Sequence, residues 1–177
     1  MAPDQYTIDP KTVNLLWDYM IHADGQILKA AEELTEKQYS LEQGISLGSV
    51  QKLLIHCMDA QHIWLERLKG VNQQFASPQQ LPLRAIREVW TRQHNELRLF
   101  AAAQTVESLK SVLRFHTRKG DPYELAHGAC MLHVCDHATY HRGQLNSMIK
   151  LAGGTASNVM FFSWSMEQGF GRAGWLD

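Results

Sequence analysis

Apolar side chains recur along this chain with the i, i+3, i+4 spacing of amphipathic helices, and four long segments carry the pattern. In the first, Val13, Leu16, Trp17, Met20, Ile27, Leu28, Ala31 and Leu34 share one face. Asp9-Pro10 supplies an N-cap and a first-turn proline for it. Asp24 falls on that face, between Met20 and Leu28. It is expected to be a partly exposed carboxylate near a groove or helix end, the alternative being a polar group aimed at a site. Gly25 beside it weakens the helix locally.

Residues 35 to 48 read as an irregular connection punctuated by Gly44 and Gly48. A second helix opens at Ser49 as N-cap, carries Val50, Leu53, Leu54, Cys57, Gln61, Trp64, Leu65 and Leu68, and stops at Gly70. His56 borders this stripe, and His62 points well away from it. Residues 70 to 80, with Ser77-Pro78, form a loop. Pro82 starts a third helix with Ile86, Val89, Trp90, Gln93, Leu97 and Phe100 inward. Its Arg84, Arg87, Arg92 and Arg98 alternate with Glu88 and Glu96 on a solvated face. Residues 104 to 126 are the least helical stretch. Ser111 to Thr117 suits a short strand, Lys119-Gly-Asp-Pro122 a turn, and Tyr123 to Ala126 the return arm of a small hairpin.

The fourth helix spans about residues 125 to 152 and stops at Gly153-Gly154. Counting about 100° per residue, Cys130, Val134, Ala138, Leu145, Met148 and Ala152 cluster around the direction of His141. This places His141 centrally in the buried stripe, His137 to one side of it, and His133 at the edge. The remaining residues, 155 to 177, carry Phe161, Phe162, Trp164, Met166, Phe170 and Trp175. A tail this aromatic is expected to pack on the bundle or to join a subunit interface. The reading is all-α: a four-helix bundle with a short hairpin before the last long helix, in a single domain over residues 1–177.

Composition narrows the function classes. The net charge is -1 and the sequence pI is near 6.7. Without a basic block the chain lacks the clustered Lys and Arg that phosphate neutralisation requires, so no nucleic-acid partner is expected. No apolar run approaches the roughly 20 residues that span a bilayer, and the N-terminus has no signal-peptide core. A cytoplasmic protein without a membrane partner is the expectation. Cys57, Cys130 and Cys135 are odd in number and lack metal-type spacing, which suits buried thiols in a reducing compartment.

The candidate chemistry lies in the histidines. His137 and His141, four apart on one helix face, can chelate a divalent ion. Core histidines stacked on hydrogen-bonding partners are the plainer alternative. A catalytic site of this kind needs a third protein ligand and an open position. His56, on another long helix and bordering the core, is the best candidate. Cys57 and Cys130 are the competing ligands, although free cysteine usually packs in cores. Asp136 and Tyr140 point away. Three neutral imidazoles leave the ion's charge uncompensated, able to acidify a bound thiol or water or to polarise a carbonyl.

Several segments resemble the DinB/YfiT family of four-helix-bundle metalloproteins. His137-Ala-Thr-Tyr-His141-Arg-Gly-Gln144 is similar to the family's N-H-x-x-x-H-R-G-Q signature. Leu53-Leu-Ile-His56 with Trp64-Leu-Glu-Arg67 resembles its second-helix motif, and Tyr19-Met-Ile-His-Ala-Asp24 more weakly resembles its first-helix Y-N-x-W-A-N. The resemblance makes His56, His137 and His141 the metal ligands. It implies up-down-down-up connection and a homodimer. It also implies a small-molecule substrate, a low-molecular-weight thiol among the options. Asp136, His22 and Asp24 depart from the pattern, which leaves the ligands intact but weakens any inference about substrate. The expected activity is metal-dependent thiol S-transfer or hydrolysis with zinc or nickel, or else iron. The rival readings are a non-catalytic metal-binding or ligand-binding bundle and a pure dimerisation bundle.

Overall fold

A computed structural model of the chain describes residues 7–71, 78–117 and 119–171. The elements in order are α1 (Pro10–Glu32), α2 (Glu36–Tyr39), α3 (Val50–Leu68), α4 (Leu83–Ala102), α5 (Val106–Lys110), β1 (Val112–His116), β2 (Pro122–Ala126), α6 (His127–Leu151) and α7 (Phe161–Glu167). Helices α1, α3, α4 and α6 form the bundle, and the fold is all-α apart from one hairpin. No described helix is long and apolar enough to cross a membrane.

The long helices start where local chemistry prescribes. The Asp9 carboxylate accepts the Thr12 backbone N–H at 2.9 Å, and Pro10 follows it. Ser49 Oγ accepts the Lys52 N–H at 3.2 Å. Helix α6 has no side-chain cap. It grows directly out of β2, and its first N–H bonds the Ser111 carbonyl at 2.8 Å. It ends at Gly153, whose φ of +90° is open to glycine at little cost. Gly25 does not interrupt α1.

Cross-helix pairs give the direction of each helix. Trp17 bonds Met131 and Asp24 bonds Arg142, so α1 and α6 run parallel. Asp18 pairs with Arg98 and Glu32 with Arg87, so α1 and α4 are antiparallel. Gln61 meets Trp90 and Lys69 meets Glu96, so α3 and α4 are parallel. His56 meets His141 while Trp64 meets His133, so α3 and α6 are antiparallel. The order is up-down-down-up, as expected, and the parallel α3–α4 pair requires the long connection between them.

A polar layer divides the core. One apolar cluster gathers Trp17, Met20, Leu65, Leu97, Met131 and Val134, and a second gathers Ile27, Leu53, Ile86, Leu145 and Met148. Between them lie Asp24 from α1, Gln61 from α3, His94 from α4 and Arg142 from α6, all buried. Arg142 Nη1 donates to Asp24 Oδ1 at 2.9 Å, and Gln61 Nε2 donates to Oδ2 at 2.6 Å. Gln61 Oε1 accepts Trp90 Nε1–H at 2.7 Å, and Arg142 Nη2 donates to Thr139 Oγ1 at 2.8 Å. His94 Nε2 stands 3.5 Å from Oδ2. Each long helix contributes at least one member.

The expectation of a partly exposed Asp24 is therefore wrong: the carboxylate is 1% exposed. Its burial is tolerated because a guanidinium and an amide come with it. Val89, placed in the α4 stripe, is exposed. The connection at 35 to 48 contains α2, closed by a Thr35/Gln38 capping box, and α5 precedes the hairpin behind a Thr105/Ser108 box. Such short helices lack the length that periodicity needs. The hairpin is present where expected, with Phe115 opposite Tyr123. The aromatic tail folds back as α7, where Trp164 is buried against Tyr19, whose hydroxyl donates to the Val159 carbonyl at 2.5 Å. Trp175 and Ser77 lie outside the described residues.

Removing Asp24 leaves Arg142 buried without its counter-ion. Asp24→Ala is expected to lower the unfolding free energy by about 3–5 kcal/mol, read by urea denaturation at neutral pH; a loss near zero contradicts the role given to this layer. The pair also predicts an acid limb. Burial pushes the Asp24 carboxyl up, but His94, the Arg142 charge and the Gln61 bond outweigh it and hold the group below its ordinary 3.8. A depressed folded value means that the stabilisation is present above the unfolded pKa and is lost as pH falls through the folded one. Stability should hold at about pH 5–7 and drop below about pH 4, with a flatter acid limb in Asp24→Asn. Equal slopes in the two proteins contradict this.

Candidate metal centre

His56 lies in the first half of α3, and His137 and His141 lie mid-way along the antiparallel α6. The i, i+4 spacing brings the two α6 rings together edge to face, with centroids 4.4 Å apart, on the side of the helix that faces α3. The three Nε2 atoms converge on one point. His56 is 3.3 Å from His137 and 3.2 Å from His141, and His137 and His141 are 3.1 Å apart. All three sequence candidates are thus brought together.

The spacing fits a metal ion. Nitrogen ligands at about 2.0–2.1 Å from a tetrahedral ion lie about 3.3–3.4 Å from one another. The tautomers point the same way. His141 Nδ1 stands 2.7 Å from Gln144 Oε1, an acceptor that also takes the Ser46 hydroxyl at 3.1 Å. The His141 proton therefore sits on Nδ1, and the Nε2 lone pair faces the other two rings. Burial first, then the neighbouring His141, His56 and His133, push His137 down to about 4. At neutral pH it presents a lone pair without first losing a proton. Within the described residues this is the one cluster of at least three His, Cys, Asp or Glu donors close enough to share an ion.

The structure corrects the face count in one respect. His141, expected at the centre of the buried stripe, lies beside it facing α3, and Arg142 takes the inward position. Apolar counting cannot place an arginine inside; only the Asp24 pair explains it. His133 is exposed and leans on Trp64, with ring centroids 5.0 Å apart. The competing thiols are buried in the core. Burial pushes Cys57 well above its ordinary value, Cys130 to about 11 and Cys135 to about 12, so none is a ready ligand at neutral pH. Asp136 and Tyr140 are exposed, as expected.

Two features escaped the sequence reading. Gln144 supports His141; its signal was the i, i+3 spacing, which puts both on one face. Ser46, reaching Gln144 from the α2–α3 connection, adopts φ +49° and carries no sequence signal. The rings of His56 and His137 also line a cleft of about 380 Å³ between α3, α6 and the hairpin, so the site is reached from solvent.

Known proteins agree with this architecture. A family model described as the DinB family matches residues 10–168. Protein DinB of Bacillus subtilis (strain 168) is 24% identical over 147 residues, covering 78% of this chain and 84% of that protein. A crystal structure of a DinB-like protein from Bacillus cereus ATCC 10987 superposes with a TM-score of 0.58 at 19% identity, over 81% of this chain and 93% of the other. A DinB-like protein from Bacillus subtilis gives 0.63 at 16% identity, over 81% and 95%. At these identities the solved structures speak for the fold alone, and the family match spans nearly all of the bundle: the chain belongs to the DinB family.

Proposed function

We propose that the chain is a metal-dependent enzyme whose ligands are His56, His137 and His141, with thiol S-transfer as its chemistry and hydrolysis as the alternative use of the same site. The observation that carries the reading is the triangle of Nε2 atoms, 3.1–3.3 Å on each side, at the end of a solvent-reaching cleft. Nitrogen atoms this close match the spacing of imidazole ligands around one tetrahedral ion, and neutral rings can offer their lone pairs to it. When bound, a divalent ion held by neutral ligands lowers the pKa of a thiol or water beside it.

The chain's own groups prepare the rest. Gln144 fixes the His141 tautomer, and burial keeps His137 neutral. Apolar side chains from α3 and the hairpin line the approach. Of the described cleft-lining residues none is a carboxylate, so proton transfer by Asp or Glu has no local support, and His133 at the rim is the remaining imidazole there. This favours a nucleophile activated by the ion over one activated by a carboxylate base. Zinc or nickel suits three imidazoles, and iron remains compatible. Three buried thiols fit a cytoplasmic setting.

Elemental analysis tests the site. After loading with zinc or nickel and desalting, the wild type should retain about one ion per chain, and His56→Ala and His141→Ala should retain far less. A wild type that stays metal-free sinks the proposal. Gln144→Leu should keep the fold and weaken metal binding by about 10–100-fold in a chelator competition. Unchanged affinity would show that the Gln144 contact is incidental. A screen of low-molecular-weight thiols against electrophiles separates enzyme from binding module: metal-dependent turnover lost in His137→Ala supports the first, and an ion that alters only the melting temperature supports the second.

A further inference from the structure

The cleft that ends at the histidines is built asymmetrically, and its walls specify a ligand. Along α3 it is lined by His56, Ala60, Ile63, Trp64 and Arg67, which share one helix face. By helical rise, His56 and Arg67 are about 16 Å apart along the axis. The hairpin closes the other side with Phe115, Thr117 and Tyr123. The middle is aromatic: Trp64 meets Phe115 edge-on at 5.2 Å, and Phe115 stacks with Tyr123 at 6.2 Å. The volume, about 380 Å³, is within the range of small-molecule sites.

Charge enters from the end of the wall far from His56. Arg67 carries the permanent charge among the described lining residues, and none of them is acidic. Its guanidinium lies 5.0 Å from the Trp64 ring centre and 5.2 Å from that of Phe115, and one N–H donates to the His116 carbonyl at 2.9 Å. Helix, aromatic floor and hairpin backbone thus hold the planar fork in place, leaning back along the cleft toward His56. A fork fixed over rings loses little freedom when it engages an anion. One guanidinium matches a monoanionic carboxylate bidentately, whereas a phosphate dianion calls for further cations.

We propose that this cleft binds an elongated apolar molecule ending in a carboxylate. The carboxylate pairs with Arg67, the apolar body lies between Trp64, Phe115 and Tyr123, and the opposite, reacting end is delivered to His56 and His137. The orientation rests on the metal-site reading; the recognition of an apolar carboxylate does not.

Phenylbutanoate and phenylbutanamide, one body with and without the charge, test this. Each is titrated into the zinc-loaded full chain by calorimetry and into the metal-free chain by tryptophan fluorescence. The carboxylate should bind at least about tenfold more tightly than the amide in both forms. Arg67→Met should abolish the preference, bringing acid and amide to the same affinity, and Arg67→Lys should keep part of it. The lysine variant also covers the case in which the methionine variant does not fold. Trp64→Ala should weaken both probes. Equal affinity for acid and amide overturns the proposal, as does a preference that survives Arg67→Met, which would place the carboxylate at the histidines. A chain that takes up no metal yet still prefers the acid through Arg67 defeats the metal reading and leaves this one standing; metal uptake without the preference does the reverse.

Discussion

The buried pair between Asp24 and Arg142 is the constraint on which the rest of the arrangement depends. It joins α1 to α6 at the mid-height of the bundle, and Gln61, Trp90 and His94 extend it to α3 and α4. A buried ion pair is weak evidence for net stability, since apolar residues of similar volume often do as well. Its stronger effect is on geometry. An arginine that must meet one carboxylate at 2.9 Å fixes the rotation of its helix about the axis. With Arg142 turned toward α1, the preceding residue, about 100° round the helix, is directed elsewhere, and His141 faces α3. The register of the histidine triangle is thus set from behind, by a residue that touches none of the three rings.

The centre itself is held together by the fold around it. Three imidazole nitrogens stand within 3.3 Å of one another, and burial favours the neutral ring of His137. The surrounding bundle holds them there: two antiparallel helices fixed by cores above and below the polar layer, and a glutamine that settles one tautomer. Such an arrangement keeps three nitrogen donors convergent in the protein as it stands.

Much of this was legible in the chain. The caps at Asp9 and Ser49, the stops at Gly70 and Gly153, the four apolar stripes and the hairpin turn are local signals, and they gave element positions close to those observed. The i, i+4 histidines gave half of the metal centre, and His56 at a stripe edge gave the rest. What was not legible depends on pairs between helices. Asp24 looked misplaced because its partner, Arg142, lies 118 positions away. His141 looked central because counting apolar neighbours ignores an arginine that is itself inside. Ser46 and the cleft walls come from segments brought together only by the finished fold.

The hairpin over the cleft has a consequence for how such a protein can change. Its strands pair with each other, and β2 leaves most of its side chains in solvent while β1 sends only Leu113 and Phe115 inward. Substitutions at Thr117, Tyr123 or the turn can alter which molecules are admitted without disturbing the donors on α3 and α6. The three histidines and the outer wall of the cleft thus reside in separately mutable parts of one chain, so that the wall can be reshaped while the nitrogen triangle stays as it is.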